Sequence, residues 1–438
     1  MFPDLGLVPT AAILFGLLTF LLALGVWIGI ALLIVGFAAV VMVTTVPVGP
    51  VLATTVWASS ASWSLAALPL FIWMGEILFR TRLSEQMFMG LAPWLNWLPG
   101  RLLHVNVVGC GIFAAVSGSS AATCATIGKI ALPELRKRGY DEAMSLGSLA
   151  GSGTLGLLIP PSIPMVVYAI AANVSVIQVF LAGFLPGLLV MALYSGYILV
   201  WSLLNPEKSP RPEPRTSFAH KLRQSAKLLP VFLLIVLIFA ALLLGWATAT
   251  ECAAWGVTGA LALAWWSGTL TWKTFLESVL SATRLTAMIM LILAGAAFTT
   301  AAMAYTGIPA ALAAWVEGMQ LSPYVLIAAL TVMYIILGCL IDGISMIVLT
   351  TVVVLPMIKQ AGFDLVWFGV FLIILVEMAQ ITPPVGFNLF VLQNMSRRDS
   401  FTVAKAALPF FFLLVAAVAI ITAFPDIALF LPRLAFPE

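Results

Sequence analysis

Charge is what this sequence has least of. Asp, Glu, Lys and Arg make up 8% of its 438 residues, against 63% hydrophobic residues. Soluble domains carry about 25% charged and roughly 45–50% apolar residues, so a soluble globular chain is excluded and the solvent for most of this one is lipid. Histidine occurs only as His104 and His220, one near the start of an apolar segment and one in a basic stretch, so neither anchors a catalytic centre. The four cysteines, Cys110, Cys124, Cys252 and Cys339, have no CxxC or metal-ligand spacing and suit helix packing. Neither HExxH nor GxSxG occurs, which removes the commonest zinc and serine hydrolase motifs. The opening residues include Asp4 and no basic run, so the first apolar stretch is not expected to be a cleaved signal peptide.

Apolar runs near the roughly 20 residues that cross a hydrocarbon core recur from end to end, about a dozen in all. Segments are expected near 8–30, 31–58, 64–80, 178–204, 228–249, 251–267, 285–304 and 403–425, with more complex stretches between them. The one long hydrophilic interval, 205–227, holds Lys208, Arg211, Arg215, Lys221, Arg223 and Lys227 and divides the chain in two. The halves match at a fixed offset of 223 residues: Leu132-Pro133 with Leu355-Pro356, Gly139-Tyr140-Asp141 with Gly362-Phe363-Asp364, Pro160-Pro161 with Pro383-Pro384, and Leu185-Pro186 with Leu408-Pro409. Such a register indicates an internal duplication, a habit of secondary transporters.

Cytoplasmic loops carry excess Lys and Arg. Arg136-Lys137-Arg138 in the first half answers only Lys359 in the second, which places the first loop inside and the second outside. Walking the chain from there puts 205–227 and Arg397-Arg398 inside and both termini outside. The repeats are therefore expected to be inverted.

Irregular backbone is tolerated at membrane depth only where protein or an aqueous cavity receives it. Four stretches break the apolar pattern: Ser117-Gly118-Ser119-Ser120-Ala121-Ala122-Thr123; Gly338-Cys339-Leu340-Ile341-Asp342-Gly343-Ile344-Ser345; Gly151-Ser152-Gly153-Thr154 running to Pro160-Pro161-Ser162; and Ile381-Thr382-Pro383-Pro384-Val385-Gly386-Phe387-Asn388. The first two lie midway in apolar hairpins that begin and end on one side. The other two carry paired prolines, which remove two backbone donors and expel the preceding residue from helical geometry. Aligned interruptions of this kind mark transport sites, where freed carbonyls hold a cation and helix amino termini face an anion. The same Ser, Thr and Gly residues also serve close helix packing.

Asp342 is the sharpest single residue, a costly carboxylate inside a membrane segment, although capping a helix would also account for it. Glu76 stands at i,i+4 spacing to Arg80, suited to an ion pair near the inner interface. Glu251 and Glu377 are further carboxylates at membrane depth, without an assigned role, and Arg284 is placed to snorkel. Stretches 82–100 and 268–283 are too polar to span and are expected as amphipathic interfacial helices.

The expected fold is thus an all-α polytopic membrane protein with inverted repeats, two re-entrant helical hairpins and two interrupted helices. Its expected parts are N-terminal scaffold helices and an interfacial arm over 1–100, a first transport repeat over 101–204, the basic linker over 205–227, a second scaffold part over 228–304 with its arm at 268–283, a second transport repeat over 305–425, and a tail over 426–438. The hairpins fall at 104–133 and 323–356 and the interrupted helices at 143–172 and 364–395.

These four motifs, in this order and over essentially the whole chain, resemble the large membrane subunit of the tripartite ATP-independent periplasmic (TRAP) transporters. The resemblance implies an elevator-type carrier, similar to the ion transporter superfamily, that imports a small organic acid with Na+ as coupling ion and no cofactor. It implies two partners: a small four-helix membrane subunit and a periplasmic binding protein that delivers the solute. It implies a bacterial inner-membrane location and no enzyme activity. Carried over, one sodium site would draw on Ser117, Gly118, Ser119, Gly153 and Thr154, and the other on Gly338, Asp342, Gly343, Thr382 and Pro384. Substrate contacts would fall at Ser120, Thr123, Ser162, Ser345 and Asn388. A stand-alone sodium/organic-anion symporter of a related elevator fold is the nearest alternative, ahead of an intramembrane enzyme or a channel.

Overall fold

A computed structural model describes residues 6–81, 90–91, 93–208, 210, 221, 226, 229–319, 321–384 and 386–436. Among the described residues all regular structure is helical. The chain opens with α1 (Leu7–Ala23), α2 (Ile28–Val43), α3 (Val48–Ser60) and α4 (Ala67–Phe79). The single span expected over 31–58 is two helices: the backbone extends at Thr44 and restarts behind Pro47, because proline bars helical geometry in the residue before it.

The first repeat consists of α5 (Leu102–Ser117) and α6 (Ser120–Lys137), then α7 (Glu142–Gly153), α8 (Leu155–Leu158) and α9 (Ile163–Ala172), and finally α10 (Val176–Leu204). After the linker, most of which lies outside the described residues, come α11 (Leu229–Leu243), α12 (Ala249–Trp266), α13 (Trp272–Thr306) and α14 (Ile308–Gly318). The second repeat is α15 (Pro323–Gly338) and α16 (Gly343–Gln360), α17 (Leu365–Gln380) and α18 (Phe387–Ser396), then α19 (Ser400–Ala423) and α20 (Asp426–Ala435).

Two expected elements differ. The arm at 268–283 is not separate, because Thr271 caps one continuous 35-residue helix, α13, about 52 Å long at 1.5 Å per residue. Its polar start is accommodated by side-chain pairing: Arg80 of α4 reaches Glu277 at 3.0 Å while also holding Glu76 at 3.0 Å, and Trp73 Nε1 donates to Ser278 Oγ at 3.1 Å. The tail at 426–438 contains α20, whose Ala428 and Leu429 are buried. Of the arm at 82–100, residues 82–89 and 92 lie outside the described residues.

Hairpin arms α5 and α15 each have 16 residues, rising about 24 Å, which is short of the roughly 30 Å hydrocarbon core. Each is followed by a short tip and a second arm, the form expected of a re-entrant hairpin. The 223-residue offset recurs in backbone detail: Ser119 and Asp342 cap α6 and α16, Asp141 and Asp364 cap α7 and α17, Gly139 and Gly362 take positive φ, and Pro160–Pro161 and Pro383–Pro384 are both cis.

The two interrupted helices run antiparallel, as an inverted duplication requires. Glu142 at the start of α7 pairs with Arg398 beyond the end of α18 at 2.6 Å, whereas Tyr168 late in α9 donates to the Leu365 carbonyl at the start of α17 at 2.6 Å. Arg136 joins the first cluster, contacting Glu142 at 3.2 Å and donating to the Ser396 carbonyl at 3.0 Å. The basic loops 136–138 and 397–398 therefore share one face, the arrangement that the positive-inside rule calls for.

A small core of Leu14, Val35, Ala39, Val40, Phe298 and Ala302 joins α1, α2 and α13, beside a main core that runs through both repeats and through α4, α11, α12 and α13. The outer surface is apolar, with exposed Val8, Phe15 and Phe20 on α1 and exposed Trp27, Trp57, Trp246, Trp265, Trp266 and Trp272 at or near helix ends, the pattern of a lipid-facing body with interfacial anchors. Within the repeats, backbones touch: a Cβ on Gly147 of α7 would lie 2.2 Å from the Ala406 carbonyl oxygen of α19. Gly147→Ala should cost about 1–3 kcal/mol by overpacking, read as a drop of several degrees in the unfolding midpoint in detergent. An unchanged midpoint would mean that α7 and α19 are not in backbone contact.

Candidate ion and solute site

The site is where the hairpin tips meet the interrupted helices. At the first tip α5 ends on Gly118 in the left-handed region, φ +57°, which only glycine adopts readily. A Cβ there would lie 3.2 Å from the Pro161 carbonyl oxygen, so the tip abuts the cis-proline break itself. Ser119 Oγ accepts from the Ala122 amide and caps α6. Ser117 Oγ and Thr123 Oγ1 share a 2.6 Å hydrogen bond across the tip. Contact with the broken helix is backbone to backbone: a Cβ on Gly156 would meet Ser119 O and Ser120 Cα at 2.6 Å. Thr154, between α7 and α8, donates to the Gly151 carbonyl at 2.6 Å and shares a bond with Tyr194 of α10 at 2.9 Å. Gly153 faces Cys124 and Asn388 so closely that a Cβ would lie 2.8 and 2.9 Å from them.

The second tip repeats the plan with a carboxylate. Asp342 caps α16, its Oδ2 accepting from the Ser345 amide at 3.1 Å and its Oδ1 from the Ser345 hydroxyl. Gly338 and Gly343 flank the tip and press on α17, where added methyls would meet Ala379 at 2.4 Å and Val376 at 2.2 Å. In the break, Thr382 Oγ1 donates to the Met378 carbonyl at 2.6 Å, and the Gly386 amide spans the cis Pro383–Pro384 bond to the Thr382 carbonyl at 3.0 Å.

In each repeat the tip packs against the broken helix, through Gly118 and Ser119 in the first and through Gly338 and Gly343 in the second, whereas Thr154, Asp342 and Thr382 bond within their own elements or to α10; hydroxyl, carboxylate and carbonyl oxygens are the donors these residues offer. Such hard oxygens suit an alkali cation and not a transition metal. Among the described residues no group of three or more His, Cys, Asp and Glu stands ready for a metal. Buried oxygens around the first break have spare lone pairs: Ser152 Oγ, Ser162 Oγ and Asn388 Oδ1 make no hydrogen bond, a costly state unless a ligand or cation uses them.

The five expected substrate contacts are all at most 2% exposed. Ser120 bonds Glu377, Thr123 bonds Ser117, Ser345 bonds Asp342, and Asn388 Nδ2 donates to the Ala150 carbonyl at 3.3 Å, tying the second repeat to the first. None lines the cavity of about 90 Å³ between the first tip and helices α4 and α13, which is walled by Gly75, Glu76 and Phe79 of α4, Ser117, Ser119 and Ala122 of the tip, and Leu285 of α13. A Cβ on Gly75 would touch the Val116 and Ser117 carbonyl oxygens at 3.0 Å, so α4 meets the tip at its backbone carbonyls.

Two carboxylates left open by the sequence acquire partners. Glu251 is exposed and completes a capping box with Thr248 at the start of α12, a purely structural role. Glu377 is fully buried in α17 and accepts from Ser120 Oγ at 2.6 and 2.8 Å and from the Leu157 amide at 2.6 Å. It was missed as a site residue, although the 223-residue offset equates it with Thr154, which was not.

The cap geometry is itself testable. Removing an Asp cap costs about 1 kcal/mol, so Asp342→Ala should speed amide exchange at Ser345 and the first turn of α16 about fivefold, with the α6 turn unaffected. Equal exchange before and after would remove Asp342 from the cap.

The family model described as "Tripartite ATP-independent periplasmic transporter, DctM component" matches residues 15–427. The chain is 31% identical over 383 residues to the C4-dicarboxylate TRAP transporter large permease protein DctM of Pseudomonas aeruginosa, covering 87% of this chain and 89% of that one. It is 29% identical to the ectoine/5-hydroxyectoine TRAP transporter large permease protein UehC of Ruegeria pomeroyi, covering 86% and 87%. In fold it is similar to the YdaH transporter of Alcanivorax borkumensis, with a TM-score of 0.68, 13% identity, and 92% and 98% of the two chains covered. With paired hairpin tips seated on paired broken helices and a family match over nearly its whole length, this multi-pass bacterial inner-membrane protein belongs to the DctM family, the large permease subunits of the TRAP transporters.

Proposed function

We propose that this permease imports a small organic acid by sodium symport, taking it from a periplasmic binding protein and working with a small membrane subunit, and that its two repeats move as an elevator against a scaffold. The observation that carries this reading is the duplicated contact of tip and break: Gly118 on Pro161 and Gly156 on Ser119 in one repeat, Gly338 and Gly343 on α17 in the other. Two matched sets of oxygen donors at antiparallel breaks supply two cation sites of the kind that transporter folds place at mid-membrane. Ser117, Gly118, Ser119, Gly153 and Thr154 form the first, and Gly338, Asp342, Gly343, Thr382 and Pro384 the second.

The cavity between Gly75 and the first tip lies on the surface along which such motion would run. Solute would be held near Ser120, Thr123, Ser162, Ser345 and Asn388. These five are closed over in this conformation, so the solute must open them or bind on the scaffold side. The relatives' names point to C4-dicarboxylates and ectoine as examples of cargo.

The driving force is adequate. Each sodium ion entering gains about 2.3 kcal/mol per 100 mV and about 1.4 kcal/mol per tenfold gradient. Two ions entering with a monoanion retain about 5 kcal/mol, enough to concentrate it on the order of thousands-fold.

The test is uptake into proteoliposomes that contain this chain and its small partner, with the binding protein outside. Uptake should require both an inward sodium gradient and the binding protein. Sodium-driven uptake without the binding protein would instead identify a stand-alone symporter, and uptake indifferent to sodium would overturn the coupling.

A further inference from the structure

Resting on the sodium-coupled reading above, we propose that Glu377 is the counter-charge and positioning residue of the first cation site, a carboxylate that the second repeat lends to the first. Of the two tip-and-break sets, only the second contains a carboxylate of its own, Asp342. The first consists of hydroxyls and carbonyls, namely those of Ser117, Gly118, Ser119, Gly153 and Thr154. A monovalent cation placed among neutral oxygens in a low-dielectric interior leaves a net charge that the protein must offset nearby.

Glu377 is the group in position to do so. Its side chain is 0% exposed, and its carboxylate sits in the gap between the hairpin and the broken helix of the other repeat. One contact, Ser120, adjoins the cap residue Ser119, and the other, the Leu157 amide, lies one turn beyond Thr154. The site is therefore bracketed by the two atoms that Glu377 holds. A buried carboxylate is itself expensive unless charge and donors compensate it. Donors come from Ser120 and Leu157, while among the described residues no ion pair includes Glu377. A cation at the first site would complete the compensation.

The duplication makes the exchange explicit. At the 223-residue offset Ser119 corresponds to Asp342 and Thr154 to Glu377. The two hydroxyls belong to the first repeat and the two carboxylates to the second, yet Glu377 points its charge into the first. Each site thereby commands one carboxylate. Glu377 touches the cap's neighbour and not the cation site's own oxygens, so it acts through position and field and is not offered as a ligand. A purely structural staple would hold the same atoms without any preference for sodium, and the two roles separate experimentally.

The experiment uses the complete chain with its small partner, purified wild type beside Glu377→Gln, with the unfolding midpoint followed as NaCl replaces choline chloride at constant ionic strength. Supporting residues around a metal typically alter affinity 10–100-fold. The Gln variant should need at least about tenfold more sodium for half of the stabilisation, with its midpoint in choline close to wild type and its half-saturating sodium for uptake raised in parallel. Ser119→Asp combined with Glu377→Gln returns a carboxylate to the tip, at the position where the other repeat carries Asp342, and should recover most of the sodium response.

Should Glu377→Gln fail to fold, Ser120→Ala takes its place, since it frees the carboxylate from the tip while keeping the charge, and should raise the half-effective sodium severalfold. A sodium response equal to wild type in Glu377→Gln, or in Ser120→Ala where that variant stands in, overturns the proposal while leaving sodium-driven uptake intact. Loss of midpoint in choline without a shift in sodium dependence makes Glu377 a staple and overturns it as well. A wild type indifferent to sodium in both assays fails at the level of the coupled function and removes this inference with it.

Discussion

A peptide group released from a helix inside a bilayer has no water to turn to, and the architecture follows from where those groups go. This chain breaks helical geometry at two hairpin tips and at two cis-proline interruptions. It answers each break with another. The Gly118 turn lies against the Pro161 carbonyl, and Gly156 lies against Ser119 and Ser120 while Gly338 and Gly343 bring the second hairpin onto α17, these last three at separations that leave no space for a methyl group. Part of the freed polarity is satisfied internally, as where the Gly386 amide meets the Thr382 carbonyl and Leu157 meets Glu377. What is left over includes Ser152, Ser162 and Asn388, buried oxygens without a hydrogen bond that lie in or next to the two breaks.

Much of this was legible because the devices are local. Paired prolines, Ser-Gly-Ser and Asp-Gly declare their backbone consequences within a few residues, and the 223-residue offset aligns them without reference to space. The offset held down to the caps, Ser119 with Asp342 and Asp141 with Asp364. Boundaries were less legible where a helix continues through polar sequence. Lys273 and Glu277 made 268–283 read as a separate surface element, yet Arg80 and Trp73 of α4 receive its polar side chains, so the helix runs on unbroken. Pro47 was the available signal for dividing 31–58, and it was outweighed by the apolar run on either side. Thr248 and Glu251 at capping-box spacing were likewise readable, whereas mean apolarity placed Glu251 at membrane depth.

The site itself was legible as a set of residue types and not as a set of bonds. Nothing in the order of residues says that Thr154 spends its hydroxyl on Gly151 and Tyr194, or that Thr123 spends its own on Ser117. Those choices are fixed by helices α10 and α5 arriving from elsewhere. Glu377 illustrates the limit most sharply: its partners Ser120 and Leu157 are 257 and 220 residues away, a contact that exists only because the repeats interlock antiparallel.

That interlocking also constrains how such a protein can move. The first hairpin is tied at its mouth by Arg136, Glu142 and Arg398 and at its tip by Glu377, so both ends are fastened to the opposite repeat. Swinging this hairpin open would break a partly exposed ion cluster, worth little, together with a fully buried carboxylate network, which is worth much more because its groups would be left unpaired. Helix α4, by contrast, meets the first tip beside a cavity, with Gly75 close to the Val116 and Ser117 carbonyls. Sliding there exchanges apolar and carbonyl surface without stranding a charge. On the elevator reading proposed above, the two repeats would travel as one body, with the first hairpin as part of the carriage and not as its door.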